Sequence, residues 1–278
     1  MSLRLAAFDL DGTLLDPYGK LTPSVCEAVR TLAGRVHVVL CTGRRFRTAL
    51  PCARELGLDE GAIVVNNGVV VKDLATGETL QHEYLPEPVF ADVIEHVRGH
   101  GAPLVYLDAY HEGTDIVTEA VEHAHPFQRE YLDDNGEFSR VMSDVTERGG
   151  QGVIMVSTMA DADSLDDLRR RATNRFGERV FTHSILNKNY RGNILEFLSP
   201  RAGKWSALER LARGLGVPPE AIAAVGDDAN DAELIREAGF GIAMGNAVAS
   251  ARDGADLVVS SNAEGGAVEA VEKILLRL

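Results

Sequence analysis

The 278-residue sequence predicts an α/β protein: a doubly wound parallel-sheet core interrupted by an inserted α+β segment. Three observations lead there. Apolar runs of strand length (Leu3 to Phe8, Val36 to Cys41, Ala62 to Val65) alternate with stretches of helical character. Each run stops at polar residues, as strands do at the ligand-binding edge of an open parallel sheet. The rhythm breaks near Val69 and resumes at Asn193, which assigns residues 1–82 and 191–278 to the core and 83–190 to the insert.

The first run ends in Asp9, Leu10, Asp11 and Gly12. Two acids at i and i+2 converge on one point past the strand while Leu10 turns inward, and Gly12 permits a sharp turn. Thr22-Pro23 reads as an N-cap followed by proline at the first helical position, opening a helix to about Leu32. The second run, VHVVLC, is continuous enough to be buried on both faces. It ends in Thr42-Gly43-Arg44, before a helix to about Leu56. The third run ends in Asn66-Asn67-Gly68.

From about Val69 comes a hairpin-like stretch with Thr76-Gly77 at its turn, followed in the insert by an amphipathic helix over 86–100 and a strand over 103–108. Residues 119–147 are polar and carry no clear period. A strand follows over 152–157, then a helix over 162–176 and a strand over 180–183. Back in the core, the run ILEFLSP precedes a helix over 204–213. A strand over 221–225 then ends in Gly226-Asp227-Asp228-Ala229-Asn230-Asp231. A helix over 231–238, the short strand GIAM, a helix over 247–253, the strand LVVS and a C-terminal helix over 265–278 complete the reading.

Composition bounds the function. The formal net charge of −14 disfavours nucleic acid and anionic membrane surfaces. The same charge repels phosphorylated substrates, so a site for them requires local cations, a metal ion among them. Cys26, Cys41 and Cys52 are an odd set without a C-x-x-C pair, pointing to reduced thiols and a cytoplasmic location. The start MSLRLAAF reads as too short for a signal peptide, and no apolar run approaches the ~18 residues of a membrane span. Cys41 reads as core. The histidines at 96, 100, 111, 123 and 125 read as solvated surface groups rather than metal ligands.

Asp9-x-Asp11, Thr42-Gly43, Lys204, and Asp227 with Asn230 and Asp231 each stand at a strand or helix end. Each alone could be a polar turn, a helix cap or a solvated lysine. In this order, FDLDGTLLD, TGR, a lone lysine and GDDAND resemble the four motifs of the haloacid dehalogenase superfamily. Asn66-Asn67-Gly68, LEFLSP and AMGNA support the likeness. An insert between the second and third motifs resembles the large cap of the Cof-type phosphatases (class II, type B cap). The resemblance implies a Rossmann-like core with an inserted α+β cap that selects the substrate.

It further implies a Mg²⁺-dependent phosphomonoester hydrolase acting on a small phosphorylated metabolite, a sugar phosphate first, through an aspartyl-phosphate. A dianionic phosphomonoester resists nucleophiles, so its cleavage needs charge neutralisation and a positioned attacking group. On the matching positions, Asp9 is the expected nucleophile and Asp11 the acid–base group. The Leu10 and Gly43 amides, the Thr42 hydroxyl and Asn230 are expected to bind the phosphoryl oxygens, with Lys204 as a point charge. Mg²⁺ is expected between Asp9, the Asp11 backbone carbonyl and Asp227, with Asp231 and Asp228 in support. Arg44, Lys188 and Tyr190 are candidate substrate-reading residues, by position alone. The expected partner is the metabolite only, in a monomer or homodimer. A phosphomutase using the same Asp9 intermediate, and a phosphate-binding or phospho-responsive regulator, are the alternatives. A P-loop NTPase is disfavoured because G-x-x-x-x-G-K-[ST] does not occur.

Overall fold

A computed structural model describes residues 2–119, 124–187 and 192–278. His123, Lys188 and Tyr190, singled out above, lie outside the described residues. In chain order, β1 (Leu5–Phe8) leads through a wide turn to α1 (Pro23–Ala33). Thr22 caps that helix by accepting the Val25 N–H, and Pro23 opens it. Then come β2 (His37–Leu40), α2 (Phe46–Glu55), β3 (Ala62–Val65), β4 (Val70–Asp73) and β5 (Thr79–His82). The middle of the chain holds α3 (Glu87–Arg98), β6 (Leu104–Leu107), β7 (Ile116–Thr118), α4 (Pro126–Asp134) and β8 (Ser139–Val141). It continues with β9 (Val153–Ala160), α5 (Ala162–Phe176), β10 (Phe181–Asn187) and β11 (Gly192–Leu198). The last part comprises α6 (Lys204–Gly214), β12 (Ile222–Gly226), α7 (Ala232–Glu237), β13 (Phe240–Ala243), α8 (Ala249–Arg252), β14 (Leu257–Val258) and α9 (Gly266–Leu275).

The chain divides into two compact units, one formed by residues up to His82 with Gly203–Leu278, the other by Glu83–Ala202. The first is built on a parallel five-stranded sheet in the order β14-β13-β12-β1-β2. From β1 the order runs to β2 on one side and to β12, β13 and β14 on the other. The strand order therefore reverses at β1, where open α/β sheets leave a crevice beyond the strand ends. Leu5, Ala7, Val39, Ile222 and Ala224 form one cluster with Trp205, Ala207 and Leu208 of α6. The alternating Ala6 and Phe8 point to the opposite face, and α1 packs against α9.

β3 departs from the sequence reading. It was expected as a third parallel strand, but it pairs antiparallel with β4, and β4 with β5, in a separate three-stranded sheet. A single parallel bridge, Cys41 to Val64, and the Thr42 N–H to Val64 O bond (2.9 Å) tie it to the end of β2. The hairpin after it supplies closer partners than a crossover could.

The second unit carries a six-stranded mixed sheet in the order β10-β11-β9-β6-β7-β8. Val89, Phe90, Val93, Ile94 and Val97 of α3 and Leu165, Leu168, Ala172 and Phe176 of α5 pack with Val105, Val156, Leu195 and Phe197 of its strands. The return junction corrects the expected boundary at 190/191. β11 was read as core, but it pairs antiparallel with β10 from Phe181↔Leu198 to Asn187↔Gly192, and with β9 on its other edge. Its apolar run is buried in either setting, so hydrophobicity alone did not tell which sheet it joins. His96 is also corrected: it is partly buried, with Phe176 and Phe197 edge-on at 5.4 and 6.1 Å. Burial pushes its pKa down. No helix among the described residues is long and apolar enough to cross a membrane.

Candidate active site

Three adjacent strands of the parallel sheet, β12, β1 and β2, lead within two residues into Asp227, Asp9 and Thr42, and their carboxyl ends define the site. Asp9 follows β1 directly, its N–H bonded to Val225 O of β12 at 3.0 Å. The chain then makes a wide turn closed by Leu15 N–H to Leu10 O at 2.9 Å. Gly12 passes through it at φ 87°, and a Cβ there would lie 2.1 Å from Asp227 Oδ2. Only glycine allows both the backbone angle and the approach.

Lys204, the first residue of α6, is buried with its Nζ between two carboxylates: 2.7 Å to Asp9 Oδ1 and 2.7 Å to Asp231 Oδ1. Asp231 Oδ2 accepts the Asp227 and Asp228 N–H groups, each at 3.1 Å. Both oxygens of Asp231 are thus committed, and the residue holds the β12 turn and Lys204 together. Asp228 is exposed, and its Oδ1 caps the short turn by accepting Ala229 N–H at 2.7 Å. Asp227 is buried, with Thr13 Oγ1 donating to Oδ1 at 3.0 Å and Asn246 Nδ2 donating to Oδ2 at 3.1 Å. The Oδ2 oxygen of Asp9 carries no hydrogen bond from any described residue.

The electrostatics follow from burial. Asp9, Asp227 and Asp231 each bring one oxygen within 4.8 Å of the others. Against these three carboxylates stands one ammonium, so full ionisation leaves an excess of two negative charges in a buried place. Desolvation, with Asp231 and Asp227 adding repulsion, raises the Asp9 pKa well above the usual carboxylate range although Lys204 opposes the shift. Desolvation and the neighbouring Asp231 push Asp227 up to about 7. Desolvation works against the Lys204 charge, but Asp231 and Asp9 outweigh it and its pKa is raised. A divalent cation bound by these oxygens would supply the missing charge.

On the other side, Thr42 is buried and its Oγ1 accepts the Arg44 N–H at 3.1 Å. Asn67 N–H bonds Thr42 O at 3.1 Å, and Asn67 Oδ1 accepts Asn230 Nδ2 at 2.9 Å. A Cβ on Gly43 would lie 2.9 Å from that same Asn67 oxygen. The Asn66-Asn67-Gly68 turn therefore links the Thr42-Gly43 loop to Asn230. Leu10 is buried at the start of the wide turn. Asp11 turns the other way. Its side chain is 56% exposed, and Arg44 grips it through Nε to Oδ2 and Nη2 to Oδ1, both at 2.7 Å. The Asp11 carboxylate raises the Arg44 pKa further. Arg44, a candidate for reading substrate, holds Asp11 in this structure. Cys41 is fully buried and burial raises its thiol pKa, as befits a core residue.

A family model described as haloacid dehalogenase-like hydrolase matches residues 6–271. The chain belongs to the haloacid dehalogenase-like hydrolases. Among its relatives, an HMP-PP phosphatase of Serratia proteamaculans is 30% identical over 247 residues, covering 88% of this chain and 85% of the relative. A phosphoglycolate phosphatase of Natronomonas pharaonis is 28% identical over 267 residues, covering 96% of each chain. The crystal structure of a haloacid dehalogenase-like hydrolase from Bacteroides thetaiotaomicron superposes with a TM-score of 0.83 at 26% identity, covering 98% of this chain and 99% of that one. This haloacid dehalogenase-like hydrolase is a phosphatase. Sequence reasoning passed over two side chains that touch its site, Thr13 and Asn246. Both lie inside the motifs FDLDGTLLD and AMGNA, and neither carries a titratable group that would mark it as chemistry-bearing.

Proposed function

We propose that the chain is a Mg²⁺-dependent phosphomonoester hydrolase for small phosphorylated metabolites, sugar phosphates first, working through an aspartyl-phosphate on Asp9. The observation that carries this reading is the lysine bridge. Lys204 fixes one oxygen of Asp9 and leaves the other without a hydrogen bond among the described residues, at the strand ends where Thr42, Gly43 and Asn230 are tied together. An oriented nucleophile with a bonded and a free oxygen is suited to in-line attack.

Asp9 Oδ2 attacks phosphorus and the bond from phosphorus to the leaving oxygen breaks. The Leu10 and Gly43 amides, the Thr42 hydroxyl and Asn230 bind the phosphoryl oxygens, and the Lys204 charge opposes the build-up of negative charge. Asp11 delivers a proton to the leaving alkoxide. It then takes one from the water that attacks the acyl phosphate, which releases phosphate and restores the Asp9 carboxylate. Arg44 grips both oxygens of Asp11, so the acid–base role requires the substrate to draw Asp11 out of that pair. Asp9, the Asp11 backbone carbonyl and Asp227 would hold the Mg²⁺, in keeping with the excess negative charge of the buried carboxylates. When bound, the ion supplies positive charge at the phosphoryl oxygens. The second unit, Glu83–Ala202, would select the leaving group, as the resemblance implies.

The test is phosphate release from a panel of phosphorylated metabolites, with Mg²⁺ or with excess chelator, wild type beside Asp9→Asn. Release by metal-loaded wild type alone is expected. Normal turnover by Asp9→Asn would sink the mechanism. Stable phosphorylation of Asp9 without release would transfer the assignment to the phosphomutase.

A further inference from the structure

Asn246 leaves the end of β13 on an exposed loop, yet it makes three hydrogen bonds. Its Oδ1 accepts Asn262 N–H at 2.9 Å. That bond fixes which end of the amide faces the site, because only the oxygen can accept. The Nδ2 end then spends one hydrogen on Gly12 O at 2.9 Å and the other on Asp227 Oδ2 at 3.1 Å. Asp227 Oδ1 is held from the opposite side by the buried Thr13 hydroxyl at 3.0 Å. The Gly12 backbone packs so close to Oδ2 that a Cβ could not fit between them.

We infer that Asn246 and Thr13 are positioning residues that clamp the Asp227 carboxylate as a one-oxygen ligand and so set the site's preference for Mg²⁺ over Ca²⁺. The inference rests on the proposed Mg²⁺ site. With a donor on each oxygen and Gly12 against one of them, the carboxylate is held in one orientation, and swinging it to a second binding mode breaks at least one of these bonds. Mg²⁺ is small, needs about six ligands in strict octahedral order and suits such a fixed single oxygen. Ca²⁺ takes about six to eight oxygens at longer distance and gains from carboxylates that swing to bind through both. Hydrogen-bond partners of a metal-binding carboxylate typically matter by about 10- to 100-fold in affinity.

A plain loop stitch would leave that selectivity untouched, which separates the two roles. Asn262 Nδ2 to Leu15 O at 2.8 Å is a stitch of this kind, and Asn262→Ala removes it while keeping the backbone N–H that orients Asn246. The experiment is calorimetric titration of the metal-stripped full chain with Mg²⁺ and, separately, Ca²⁺. The proteins are wild type, Asn246→Ala, Thr13→Val, Thr13→Ser, Asn262→Ala and Asp227→Asn, with folding checked by circular dichroism. Asn246→Ala and Thr13→Val are expected to weaken Mg²⁺ by about 10- to 100-fold and Ca²⁺ by less, so that the affinity ratio falls. Thr13→Ser, which keeps the hydroxyl, and Asn262→Ala should retain the wild-type ratio. Asn246 is exposed, so its alanine variant keeps the test alive if Thr13→Val fails to fold. An unchanged Mg²⁺ affinity in Asn246→Ala, or an equal loss for both ions, overturns the clamp. Equal Mg²⁺ binding by wild type and Asp227→Asn would overturn the underlying metal site as well, and is told apart by that comparison alone.

Discussion

Lys204 is the one ammonium among three buried carboxylates, and its two short bonds decide how the others behave. Removing one partner of a buried pair leaves an uncompensated charge, at a cost of about 3–5 kcal/mol. Lys204→Met is therefore expected to lose about that much stability by urea unfolding, along with its activity. Asp9→Asn should behave in the opposite way, because it relieves repulsion from Asp231 and Asp227: inactive, but at least as stable as wild type in chelator. A Lys204→Met protein of wild-type stability would show that the cluster tolerates its own charge. Asp227 gives the pH dependence. Its folded-state pKa, about 7, lies above the ordinary aspartate value of 3.8. The bound proton therefore stabilises the metal-free fold in acid, and that contribution is lost as pH rises through about 7. With chelator present, Tm should fall between about pH 4 and about pH 7 and level off above it, and Asp227→Asn should flatten the fall. A wild-type Tm that rises over this interval would contradict the assignment.

At the scale of elements, the site depends on a turn holding a helix in place. Asn66, Asn67 and Gly68 run through φ values of 50°, 56° and 87°, a left-handed stretch against the start of α6. A Cβ on Gly68 would lie 2.1 Å from Gly203 O and 2.8 Å from Lys204 N. Gly68→Ala must shift the helix that delivers Lys204, whereas Gly19 has a similar φ of 74° with nothing within 4 Å. Gly19→Ala should cost only the left-handed penalty of about 1–2 kcal/mol and keep activity. Gly68→Ala should cost more and lose most of its kcat; equal effects from the two would show that the approach to Gly203 is not what matters. The sequence announced this turn through its Asn-Asn-Gly triplet, and it announced the acids through apolar runs that stop at Asp9 and Asp227. Those signals are local. What escaped was non-local: β11 is as apolar as a core strand and declares its sheet only through its partners β10 and β9. Asn246 escaped for a related reason, since an exposed asparagine in a loop has no periodicity and its value lies in Asp227, nineteen residues away.

At the scale of the whole molecule, one unit is continuous in sequence and the other is not. Leu5 pairs with Ile222 across the parallel sheet, so the first unit closes only when the two segments that flank Glu83–Ala202 in sequence come together. A folded second unit shortens that closure, because an ordered segment replaces a long flexible loop. Each unit also has its own apolar cluster, one around Trp205 and α6, the other around α3 and α5. Trp205 is the only tryptophan in the chain, is 8% exposed and stands beside Lys204, so its fluorescence reports the first unit. Asp9 and Asp227 belong to that same unit. Mg²⁺ at about 100 times its Kd should add about 2.7 kcal/mol to the transition seen by Trp205. Circular dichroism, which sees the helices of both units, should then split into a Mg²⁺-sensitive step and one that Mg²⁺ leaves in place. If fluorescence and circular dichroism instead move together at every Mg²⁺ concentration, the two clusters unfold as one cooperative body. The discontinuous unit would then owe its stability to the inserted one, and metal bound at the strand ends would stabilise the entire chain.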